Sequence, residues 1–249
     1  FLSGDYLASE KAFIKSANGN VSLDANDMTI ALISADKGNV ITNAKGRIID
    51  GNGSLLNIHA ERWQASANEG IGIGNALSDA AADAIEIIVG RLWLSNTGSG
   101  NGTINISNTG EIVIESIKNN GNISLVNRSG DVILDNSDNA MFDVSKLTAQ
   151  EQGGVINANT ENKAVLNLLV DGGTVRAINK ANKKNPDIIA YDTLFNTGTT
   201  HDFGERNRKI ILHVPNTYNQ VARWSFVDWF LRRPNQINDL SQVPPDTII

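Results

Sequence analysis

From Gly102 to Asn136, apolar and polar positions alternate in four short runs: Ile104-x-Ile106, Ile112-x-Ile114, Ile123-x-Leu125 and Val132-x-Leu134. A period of two places both aliphatics of each run on one face of a strand. Gly, Asn and Asp separate the runs, and these residues turn a chain sharply. The runs recur at longer range: Ile104 and Ile123 lie nineteen residues apart, Ile112 and Val132 twenty. Short strands and turns that recur at this spacing predict a solenoid, in which each coil stacks on the one before. A sandwich has no reason to keep such a period, and its strands usually run longer.

The same pattern runs through most of the chain. Strands are predicted at Lys11–Ile14, Asn18–Leu23, Met28–Ile33, Gly38–Ile41, Gly46–Ile49 and Ser54–Ile58. The triplets Gly19-Asn20-Val21 and Gly38-Asn39-Val40 repeat the nineteen-residue spacing near the start. His59–Asn68 is more polar and reads as a strand followed by a loop. Ile85–Val89 and Arg91–Ser95 read as strands joined at Gly90, and Met141–Val144, Gly154–Ala158 and Ala164–Val170 as further coils. Thr174–Ile178, Ile188–Phe195 and Lys209–Val214 follow with looser spacing. The expected fold is all-β, a parallel β-helix of roughly 20-residue coils over residues 1–215. Ile104, Ile106, Ile112, Ile114, Ile123, Leu125, Val132 and Leu134 should point inward, and Asn amides at the turns should bond along the axis. Nine or ten coils at the interstrand spacing make a rod of roughly 45 Å.

Residues 216–249 change character. Val221–Leu231 gathers Trp224, Phe226, Trp229 and Phe230, and its apolar positions follow helical spacing until Pro234. The expectation is a short C-terminal helix that caps the last coil, or that docks on a partner or membrane surface through the same aromatics.

Composition narrows the function. The chain has 249 residues, 41% of them hydrophobic, and no Cys, so disulfides and thiolate chemistry are excluded. A net charge of −6 argues against a nucleic-acid partner held through phosphates. The charge is uneven, with residues 1–170 carrying net −8 and residues 171–249 net +2. No run is long and apolar enough for a transmembrane helix. The chain begins at Phe1 and reads as a piece of a longer protein or a processed product.

Residues 18–170 resemble the repeat region of filamentous-haemagglutinin-like bacterial adhesins. The likeness lies in Gly70-Ile71-Gly72-Ile73-Gly74, the strand Leu92-Trp93-Leu94, and the turns Ser95-Asn96-Thr97-Gly98 and Ser107-Asn108-Thr109-Gly110. Residues 121–125 (GNISL) and 130–134 (GDVIL) are similar to the filler repeats of that family. The resemblance implies a right-handed parallel β-helix, exported through an outer-membrane secretion partner by two-partner secretion. It implies part of a fibre on the bacterial cell surface, acting in cell adhesion or biofilm. Its partners would be a surface carbohydrate, a host or neighbour-cell protein, or another copy of the fibre. The segment after residue 171 does not share the pattern.

No catalytic, cofactor or metal site is expected. His59, His201 and His213 form no ligand motif and have no Cys beside them. Asp79 with Asp83, or Asp135 with Asp138, has the form of a carboxylate pair used on polysaccharides, but Asp is common at solenoid turns. The glycines at 70, 72 and 74 fit tight turns and not a dinucleotide fingerprint. Trp63 and Trp93 look isolated. The alternative to a non-catalytic adhesin is a carbohydrate-active enzyme on the same fold, of the lyase or hydrolase type.

Overall fold

A computed structural model describes residues 4–9, 11–72, 84–96, 98, 102–137, 155–179, 186–196, 204, 210 and 212–214. Within them lie nineteen strands and no helix, and every strand pairing is parallel. The pairings sort the strands into three columns. One column stacks β1 (Tyr6–Leu7), β4 (Met28–Ile30), β6 (Arg47–Asp50), β8 (Gly70–Ile71), β10 (Ile104–Asn108), β12 (Ile123–Asn127), β15 (Val165–Val170) and β18 (Asp192–Asn196). The second begins at β2 (Phe13–Ser16) and passes through the first parts of β5 (Leu32–Ala44), β7 (Ile58–Ala67) and β9 (Ile85–Asn96), whose Ile85–Ile87 pair with Ile106–Asn108 at the end of β10. Above that level the first part of β11 (Ile112–Asn119) stacks with β13 (Val132–Asp135) and β16 (Val175–Ile178). The third starts at β3 (Val21–Ala25), uses the second parts of those long strands, and continues through β14 (Ile156–Ala158), β17 (Ile188–Ile189) and β19 (Leu212–His213). The chain thus winds around a common core. Eight levels in one column span roughly 34 Å at the interstrand distance.

The nineteen- to twenty-residue period is real but local. It sets the pairs Val21 with Val40, Met28 with Ile48, Ile104 with Ile123, and Ile112 with Val132. Elsewhere the coil lengthens: Ile58 pairs with Ile87, Ile71 with Ile104, and Ile123 with Leu166.

Like stacks on like inside. Ile104, Ile123 and Leu166 form one run, Ile106, Leu125 and Leu168 another, and Ile112, Val132 and Val175 a third. All eight aliphatics expected to point inward are fully buried. Each contributes about 1.5–3 kcal/mol through burial, and branched side chains suit the pleated face. The glycine of the second GNV triplet has a steric reason. A Cβ on Gly38 would stand 2.5 Å from the carbonyl oxygen of Gly19, the glycine nineteen residues before it. Coils touch backbone to backbone there.

Three expectations are corrected. Ser54–Ile58 is not a strand; β7 starts at Ile58, because the fully buried Asn57 holds the preceding turn through Asp50 Oδ1 (2.8 Å) and Asn52 Oδ1 (2.8 Å). His59–Asn68 does not turn into a loop; β7 runs on to Ala67. Polar residues there face outward while Trp63 fills the core, its Nε1 donating to Thr42 Oγ1 at 3.0 Å. Ile85–Val89 and Arg91–Ser95 are one continuous strand through Gly90. Met141–Val144 and the aromatic segment with Trp224, Phe226, Trp229 and Phe230 lie outside the described residues.

Candidate functional site

The outward side chains form columns along the stack, several of them charged, and two of these hold carboxylate oxygens shielded from solvent. The first is built on a bulge. Ile114 pairs with Leu92 and Ser116 with Trp93, so Glu115 is the extra residue of β11. An unpaired residue in a bulge re-aims its side chain. Glu115 is buried and accepts from Arg62 Nε at 2.7 Å and Arg91 Nε at 2.5 Å. Arg62 and Arg91 are register partners on adjacent coils. Arg91 Nη2 also donates to Asp135 Oδ2 (3.0 Å), whose Oδ1 accepts from Asn179 Nδ2 (2.7 Å). Burial pushes the Asp135 carboxyl up, but hydrogen bonds from Ser137, Asn179 and Arg91 outweigh it and hold the group below its ordinary range. The column thus crosses five levels, from Arg62 to Asn179. Trp93 stands beside it. Its neighbours Leu92 and Leu94 are buried, so the alternation turns the indole outward, between Gln64 below and Ser116 above. Arg62 Nη1 donates to Gln64 Oε1 at 2.8 Å.

The second column lies where β9 begins. The backbone N–H of Glu86 donates to Asn57 Oδ1 (2.8 Å), and Asn57 N–H donates to the Glu86 carbonyl (2.9 Å). On the next coil Glu86 faces Ser107, whose Oγ accepts from Arg128 Nε at 2.9 Å. Burial, and then the negative charge of Asp50, push the Glu86 carboxyl up to about 7, against a smaller pull from its backbone hydrogen bond and Arg128. Its Oε2 is buried without a hydrogen-bond partner, as are both amide atoms of the fully buried Asn105 on β10.

The residues singled out in the sequence fare differently. His59 Nδ1 lies 3.4 Å from Asp36 Oδ1 at the surface. His201, the His213 side chain, Asp79, Asp83 and Asp138 lie outside the described residues. Asp135 belongs to the arginine column. Among the described residues no group of three or more His, Cys, Asp or Glu is arranged to hold a metal. The sequence reading missed Arg62, Arg91, Glu115, Asp50 and Glu86. Arg62 and Arg91 are 29 residues apart, a spacing that signals register only once the longer third coil is known.

No protein-family model, no curated protein and no solved structure matches this chain.

Proposed function

We propose that the chain is part of a secreted or surface-exposed bacterial adhesin, a rod that spaces and presents a binding surface and turns over no substrate. The observation that carries this reading is the unbroken parallel stack. Among the described residues each level pairs with the next through parallel strands, and side-chain bonds such as Asn96 to Asn119 and Asn108 to Asn127 run along the axis. Such a body transmits tension along its length and displays fixed outward columns. We take the winding as right-handed, the hand of about 98% of parallel crossovers. Export through an outer-membrane partner and a place at the bacterial cell surface follow from the resemblance to filamentous-haemagglutinin-like repeats. The test is display of the chain on a non-adherent bacterium, with adhesion to epithelial cells and biofilm mass as readouts. Gain of either supports the reading; gain of neither, with surface display verified, overturns it.

One observation favours the alternative. Glu86, with a pKa of about 7, stands near Asp50, and a carboxyl that stays protonated beside a second carboxylate is the pairing that glycoside cleavage uses. Release of reducing or unsaturated ends from a polysaccharide panel, abolished in Glu86→Gln, would replace the adhesin with an enzyme.

A further inference from the structure

We propose that the outward face centred on Trp93 is a glycan-binding platform on which a polysaccharide chain lies along the rod axis. The inference rests on the adhesive-rod reading and gives it a ligand class.

Trp93 is partly exposed on a flat parallel face and turned away from the core. The groups around it are polar: the Gln64 amide one level below, the Arg62 and Arg91 guanidinium groups to one side and Ser95 to the other. A pyranose ring has an apolar C–H face and a rim of hydroxyls. An indole takes the C–H face, while amide, guanidinium and hydroxyl groups around it bond to the rim. The polar groups are held before any ligand arrives. Glu115 and Gln64 fix Arg62; Glu115 and Asp135 fix Arg91. Groups already ordered lose little freedom on binding. Successive levels repeat at ~4.8 Å, so the polar groups recur in the direction a chain of sugars would run.

Other occupants fit less well. A protein interface has an apolar core, whereas this face carries one aromatic within a polar grid. A nucleic acid needs unneutralised cations, and both arginines are already paired with carboxylates.

The test is affinity electrophoresis of the whole chain through gels containing a neutral β-glucan or polygalacturonate. The wild type should be retarded in at least one gel, and Trp93→Ala should weaken that binding at least about tenfold. Trp93→Phe should restore part of it. Trp63→Phe, which alters only the buried indole, should bind as the wild type does. Circular dichroism and thermal melts of each variant separate lost binding from lost folding. No retardation in either gel, or equal retardation of a folded Trp93→Ala, overturns the proposal. If adhesion to cells persists in that case, the rod reading stands and only the glycan platform falls.

Discussion

Asn108 Nδ2 donates to Asn127 Oδ1 at 2.7 Å, and the two residues occupy the same position on successive coils, nineteen residues apart and fully buried. Asn96 and Asn119 repeat the arrangement at 2.6 Å. These pairs have a direction. Both Asn of each pair turn the amide into their own turn, Asn127 onto the carbonyls of Ser129 and Gly130, Asn119 onto that of Asn122, Asn108 onto that of Gly110 and Asn96 onto that of Gly102. The first leaves its Oδ1 buried and unpartnered, because Asn108 lies over Ile87 and Asn96 over Ala67, and neither has a donor side chain.

Asn127→Ala removes the acceptor of Asn108 Nδ2 and the donor to two turn carbonyls. It should cost about 1–3 kcal/mol, the penalty for stranding buried polar groups. Ala67→Asn, which supplies a donor below Asn96, should cost less than an ordinary core substitution. Urea denaturation of both variants checks the pair.

Glu86 sets a pH dependence. Its folded pKa is raised from the ordinary 4.5 to about 7 by burial and then by Asp50. The folded state therefore holds the proton more tightly than the unfolded chain. The resulting stabilisation is complete below about pH 4.5 and is lost as pH rises through about 7. Glu86→Gln should melt like the wild type near pH 4.5 and at a higher temperature at pH 8. Thermal melts across that window show whether the slope flattens in the variant.

Glu115 joins Arg62 and Arg91, and without it Arg62 loses its carboxylate, whereas without Arg62 Glu115 still holds Arg91, so losing Glu115 strands more charge than losing Arg62. Both arginines are partly exposed, at 27% and 44% of their side chains, and solvent screens part of the cost. Glu115→Ala should destabilise by about 1–3 kcal/mol, and Arg62→Ala by less. The ranking is read from denaturant midpoints.

Ile123 lies between Ile104 and Leu166 in the core. Ile123→Ala should cost about 2–5 kcal/mol, and Ile123→Asp should open the neighbouring coils together. Asn122→Ser should do less, although Asn122 Oδ1 accepts the Val165 N–H at 2.8 Å. Hydrogen exchange of the β10, β12 and β15 amides reports the loss level by level.

The sequence by itself determined the parallel stack and its inward residues. Strand alternation and glycine-punctuated turns are local signals, and where the period stays at nineteen or twenty, adjacent coils can be aligned by counting. The inward set from Ile104 to Leu134 was legible for that reason. Only the tertiary structure decided what meets across the longer coils. Arg62 reaches Glu115 over 53 residues and Asn136 reaches Asp187 over 51, separations that no fixed period predicts. The bulge that aims Glu115, and the desolvation that raises Glu86, also arise only when neighbouring coils are in place. The two Trp make the same point. Trp63 and Trp93 look alike in sequence, yet the positions pairing Val40 with Trp63 with Leu92 put the first in the core, and those pairing Gln64 with Trp93 with Ser116 put the second outside. A one-residue step along a strand separates burial from display.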